Sequence, residues 1–201
     1  MGKNLKNSPK VLGLDISTKT IGWALFDITT QQLLELTHVS PRPKMDKDED
    51  KLKELILKSE IFAEKLKQYT DLGIVRVVIE EPLLNSNNIY TIQTLLRFNS
   101  FLFKEIYNIL GIVPEFISTY NSRKFAFPEL VQENEKKKYV LFGGLPKDID
   151  KKMIIWDKVA KKEPQITWHY TKNNTLKKEN FDQTDAYTCV LGFMRYKGIW
   201  K

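Results

Sequence analysis

The sequence predicts an α/β fold, a mixed sheet of five strands flanked by helices. Three observations carry that prediction. Three short apolar runs follow one another in the first 40 residues with no helix-spaced segment between them, the mark of a meander. Two later apolar runs are each preceded by a segment whose apolar residues recur at helical spacing, the mark of crossover connections. The chain then closes on two further helix-spaced segments.

Residues 11–16 (VLGLDI) form the first predicted strand, and a turn at Ser17-Thr18-Lys19 leads into a second over 21–26. Asp27 opens the next turn, and 32–39 supplies the third strand. The charged, proline-bearing segment 41–51 predicts an exposed, flexible loop. Leu52, Leu55, Ile56, Ser59, Phe62, Ala63 and Leu66 fall on one face of a helix that ends before Asp71-Leu72-Gly73. Residues 74–79 (IVRVVI) are short and β-branched, as a buried strand should be. A helix over about 89–110 is stopped by Gly111, and 113–118 gives a fifth strand, interrupted early by Pro114. Between 127 and 147 the pattern weakens around Lys136-Lys137-Lys138 and Gly143-Gly144, which predicts a flexible or inserted segment. Asp148 or Asp150 caps a helix reaching Lys162, 165–180 reads as loop, and 182–196 reads as a helix with Ala186, Cys189, Val190 and Phe193 on one face.

A chain of 201 residues suits one domain spanning 1–201. No stretch approaches 18 consecutive apolar residues and the N-terminus lacks a secretory h-region, so a soluble, cytoplasmic protein with no membrane partner is expected. The single cysteine, Cys189, has no internal disulfide partner, and no Cys/His cluster has zinc-like spacing. A net charge of +7 would attract a polyanion, although a lysine-rich surface also serves solubility.

The informative residues are acids that interrupt or end apolar strands. Asp15 lies inside the first strand, where a charge is costly unless paired or bound to a cation. Glu80 ends the fourth strand, where α/β sheets keep their sites. Asp182 and Asp185, three apart at a helix start, share one face. Each has an ordinary alternative: Asp15 a turn residue, Glu80 a surface charge, Asp182 an N-cap and Asp185 a first-turn acid. Taken together, four carboxylates from two strands and a helix suit hard divalent cations such as magnesium. Two such ions can drive in-line hydrolysis of a phosphodiester.

Several of these residues sit in motifs that resemble those of RuvC-type Holliday-junction resolvases. The segment from Leu12 to Ala24, LGLDISTKTIGWA, resembles their first motif, an opening that CRISPR effector RuvC domains share. Ile79-Glu80-Glu81 resembles the second motif, with Glu80 in the ligand position, and Asp182-Gln183-Thr184-Asp185-Ala186 matches the final D-x-x-D-A. Tyr120-Asn121-Ser122-Arg123 resembles the family's Tyr-x-x-Arg after the fifth strand. The resemblance spans about residues 11–195, in the family's order. It implies an RNase H-like fold, catalytic metal ligation by Asp15, Glu80, Asp182 and Asp185, two magnesium ions with manganese as substitute, a homodimer, and symmetric nicking of four-way junctions. It departs at Ser17, where relatives place glycine, and at Phe98-Asn99-Ser100, where they carry a small glycine-bearing face. It departs again at Pro82-Leu83-Leu84, where they carry an aromatic wedge; Leu83 would be a weaker apolar wedge.

Phosphate contacts dominate affinity for such a substrate. Arg123 and Lys124, following the fifth strand, are the first DNA-binding candidates, and Lys19, Lys151 and Lys152 the second. Asn85, Ser86, Asn87 and Asn88, in the loop beside Glu80, are candidates for backbone or base hydrogen bonds, Asn85 and Asn87 first among them. His38 and His169 receive no catalytic role. Three alternatives stay open: a monomeric YqgF-like RNase, an actin-like ATPase and a non-catalytic DNA-binding module. The ATPase would need glycine-rich phosphate loops, which the nine glycines do not supply. A lysine- and asparagine-rich composition also fits a phage-encoded protein acting in a bacterial host.

Overall fold

The computed structural model describes residues 8–46, 50–82, 88–133, 139–142 and 149–201. Strands β1 (Lys10–Ile16), β2 (Ile21–Asp27) and β3 (Leu33–Val39) form the expected meander. β4 (Ile74–Glu80) and β5 (Glu115–Ile117) complete a sheet of order β3-β2-β1-β4-β5, with β4 parallel to β1 and β5 parallel to β4. Five helices flank it: α1 (Lys51–Lys67), α2 (Ile89–Leu110), α3 (Thr119–Ala126), α4 (Lys151–Lys162) and α5 (Glu179–Tyr196). No helix among the described residues is long and apolar enough to cross a membrane.

The alternation of each strand sends its side chains into two separate cores. Val11, Ala24, Phe26, Val78 and Ile117 pack under α5 against Tyr187, Val190 and Phe193. Leu12, Leu14, Trp23, Val77 and Ile79 pack under α1 and α2 against Phe62, Leu66, Phe98 and Leu102. Burying each such side chain contributes roughly 1.5–3 kcal/mol. On α2, Phe98 belongs to this second core and its neighbour Asn99 is buried beside it. Two glycines let α5 approach this closely: a Cβ on Gly22 would lie 1.9 Å from the Asp182 carbonyl oxygen, and one on Gly13 would lie 2.7 Å from that of Ala186. Any larger residue in place of Gly22 would lift the first turn of α5 off β2.

The structure corrects several expectations. α5 starts at Glu179 with Lys178 in the cap position, so Asp182 lies in the first turn and is not the N-cap. α3 was not predicted as a helix; its 8 residues are too few to display a periodicity. β5 is only 3 residues long because the Pro114 segment precedes the pairing with β4. Part of the segment expected to be flexible holds a small antiparallel ribbon, β6 (Val131–Glu133) with β7 (Tyr139–Leu141). Residues 134–138 and 143–148, with the lysine run, the glycine pair and Asp148, lie outside the described residues. Asp150 caps α4, accepting from the Lys152 and Met153 amides. Residues 41–46 are irregular, as expected of a loop, and Asp50 then caps α1.

Candidate active site

Sheet register brings the acids together. In the parallel β1–β4 pair Leu14 stands beside Ile79, so the next residues, Asp15, last but one in β1, and Glu80, last in β4, lie on adjacent strands on the α5 side. In the antiparallel β1–β2 pair Asp15 faces Gly22, and Gly22 supports the backbone of Asp182. Asp185, one turn further along α5, is buried, whereas Asp15, Glu80 and Asp182 keep partial contact with solvent.

The four acids also bear on one another electrostatically. Burial raises the Asp15 pKa well above the ordinary carboxylate value, and the charges of Asp185, Glu80 and Asp182 raise it further against a smaller pull from Lys152. Glu80 is pushed up to about 7, first by burial and then by Asp185, against a hydrogen bond from Thr119 and the charges of Arg123 and Lys152. Asp182 is pushed up to about 6 by burial; Lys152 opposes this, Asp185 and Glu179 add to it, and a hydrogen bond from Thr20 opposes it. Cys189 lies beneath the cluster, and burial followed by the charges of Glu80, Asp15 and Asp185 keeps its thiol protonated.

Two cations lean on the same cluster. Arg123 Nη2 donates to Asp185 Oδ1 at 3.2 Å, and Lys152 Nζ is 3.6 Å from Asp185 Oδ2. Thr119 Oγ1 donates to Glu80 Oε1 at 2.5 Å, while Glu80 Oε2 and Arg123 Nε are buried without hydrogen-bond partners. Among the described residues no three acidic, histidine or cysteine groups are drawn tightly enough together to form a finished metal cage. The donor set nonetheless fits a hard cation: it is all oxygen, and an unpartnered buried carboxylate oxygen is among it.

Three solved structures share this architecture across nearly the whole chain. Yeast mitochondrial Holliday junction resolvase Ydc2 aligns with a TM-score of 0.60 at 11% identity, covering 98% of this chain and 82% of its own. Thermus thermophilus RuvC aligns with a TM-score of 0.55 at 12% identity, covering 94% and 96%. The same organism's RuvC in complex with a Holliday junction substrate gives 0.54 at 10%, covering 93% and 95%. The fold is that of the RuvC resolvases. No family model matches the sequence, and no curated protein matches it.

On this RuvC-like fold the other DNA-binding candidates separate. Arg123 and Lys152 reach the carboxylates, whereas Lys151 places its ammonium over the Phe142 ring at 5.8 Å. Lys124 lies over the Tyr120 and Phe125 rings, 5.9 and 5.6 Å from their centroids. Lys19 lines a groove with Ser17, Thr18, Lys51, Lys58 and Tyr90. Leu83, Asn85, Ser86 and Asn87 lie outside the described residues. Ser17 closes the turn after Asp15: its Oγ donates to the Thr20 carbonyl at 2.8 Å and accepts from the Lys19 and Thr20 amides. Sequence reasoning missed Thr119, Thr20 and the pair formed by His38 Nδ1 and Gln183 Nε2, 2.8 Å apart. Thr119 had one available signal, its place two residues past the strand that pairs with Glu80.

Proposed function

We propose that this protein is a magnesium-dependent, structure-selective DNA endonuclease that cleaves Holliday junctions or other branched DNA by phosphodiester hydrolysis. The observation that carries the reading is the carboxylate cluster at the strand ends, with Asp15, Glu80 and Asp182 still reached by solvent and Asp185 held by two cations. Asp15, Glu80, Asp182 and Asp185 would hold two magnesium ions, or manganese in their place. When bound, these ions supply an activated water and neutralise charge developing on the attacking and leaving oxygens. The chain's own residues do the rest. Burial and mutual repulsion make the carboxylates receptive to cations, and Arg123 and Lys152 bring positive charge to the place where a scissile phosphate would lie. The groove past Lys19 gives an adjoining basic surface for a DNA strand.

A homodimer fits this reading, because two sites are required to nick a four-way junction symmetrically. The outer face of α2 and the edge strand β5 offer apolar surface for a second copy, with Leu96, Tyr107 and Phe116 exposed. Action on DNA in the cytoplasm, of a bacterial host if the gene is viral, and a single nuclease domain over 1–201 belong to the same proposal.

The test is a cleavage panel of four-way, three-way, flap, duplex and single-stranded DNA plus RNA, with and without magnesium, alongside mass measurement in solution. Metal-dependent nicking of branched DNA by a dimer is the expected result. Cleavage of RNA alone by a monomer would favour the YqgF-like alternative, and binding without cleavage the non-catalytic module.

A further inference from the structure

Glu80 is the last residue of β4 and stands in register with Ile117, the last residue of β5. The chain then turns at once: Ser118 caps α3 by accepting from the Asn121 amide, and Thr119 becomes the first helical residue. A threonine inside a helix commonly spends its hydroxyl proton on the carbonyl one turn back. At the first position no helical carbonyl precedes it, so the proton is available to Glu80 Oε1, 2.5 Å away. The other oxygen of that carboxylate, Oε2, is buried and unpartnered. Leaving such an atom unsatisfied is costly, and native structures do so seldom without a ligand or function.

α3 is a firm base for this contact. Ser122 is fully buried, and a Cβ on Gly192 would lie 2.1 Å from the Ser122 carbonyl oxygen, so the backbone of α3 rests directly on α5. Four residues beyond Thr119, Arg123 reaches Asp185. One short helix thus grips a carboxylate from β4 and another from α5.

We infer that Thr119 is a positioning residue whose hydroxyl pins Glu80 Oε1 and thereby presents the unpartnered Oε2 to a divalent cation. The inference rests on the metal-binding reading of the site given above. It assigns α3 a part in building that site, separate from any contact with DNA. Outer partners of this kind fix a ligand's rotamer before the ion arrives, and their loss weakens metal affinity by about 10–100-fold.

The experiment is titration of the DNA-free protein with manganese alone, following the free ion by electron paramagnetic resonance, with thermal unfolding of each variant as a check on folding. Thr119→Val should weaken manganese binding by about tenfold or more, and Thr119→Ser, which restores the hydroxyl, should bind as the parent does. Thr119→Ala is a second deletion of the hydroxyl, with the same expected loss if valine disturbs the packing. Glu80→Gln should weaken binding at least as much. Parent-like affinity in the valine and alanine variants, with a loss in Glu80→Gln, overturns the inference and leaves Glu80 in the site. Parent-like affinity in all of them, Glu80→Gln included, overturns the metal reading and this inference with it.

Discussion

The two ends of the β1–β2 hairpin each carry a strand aspartate, and the two are treated oppositely. Asp27, opposite Lys10, is fully buried and accepts hydrogen bonds from the Ser8 hydroxyl and the Thr29 and Thr30 amides. Burial pushes its pKa up, but the bonds from Ser8, Thr30 and Thr29 outweigh that and hold it below the ordinary value. Asp15, opposite Gly22 at the other end, is held well above the ordinary value, first by burial and then by the charges of Asp185, Glu80 and Asp182. An aspartate supplied with donors anchors a turn. One supplied with other acids stores unfavourable charge that a cation can relieve.

The sharpest test of that contrast is activity. Asp15→Asn, Glu80→Gln and Asp185→Asn should each lower metal-dependent cleavage by about 10³-fold, since a bound ion supplies several kcal/mol to the transition state. DNA binding, measured in calcium, should stay largely intact. Full cleavage by any one variant removes that residue from the mechanism.

Stability should answer the other way round. Asp27→Ala strips three donors of their acceptor and should cost about 1–3 kcal/mol in urea unfolding. Asp15→Asn in metal-free buffer should cost nothing or stabilise. Equal losses at both positions would erase the distinction between anchor and site.

The pH dependence divides in the same manner. Asp27 has a lowered folded pKa, so its contribution is present above the ordinary carboxylate value and fades as pH falls through the folded one. Glu80 and Asp182 have raised values, about 7 and about 6, so the stability they contribute is complete at acid pH and is lost as pH rises through that range. Without metal, Glu80→Gln should therefore gain on the parent by about 3 kcal/mol at pH 8 and show no advantage near pH 4, read from melting curves.

The smallest effect separates two adjacent lysines. Lys152→Ala, which removes one of the two cations on Asp185, should slow cleavage by about tenfold, and Lys151→Ala, whose ammonium lies over Phe142, should leave the rate near the parent's. Equal rates for the two variants would place Lys152 outside the site.

Those lysines show how far the sequence could be read. β1, β2, β4, α1, α2 and α4 declare themselves through apolar spacing and caps, and Asp15 and Glu80 stand out because each breaks or ends an apolar strand. α3 does not, because a helix of 8 residues shows barely two turns of pattern. Its Thr119 is polar, unremarkable in composition, and meaningful only beside Glu80. Nor does spacing reveal that His38 meets Gln183 across 145 residues.

The sequence alone determined where the longer strands and helices form and which positions place a charge against apolar neighbours, because hydropathy period and desolvation cost act over a few residues. Only the tertiary structure decided which charges meet. That outcome hangs on the β1–β4 register and on the descent of α5 onto Gly22. A one-residue slip of β1 would turn Asp15 to the opposite face of the sheet with no change in composition or local pattern.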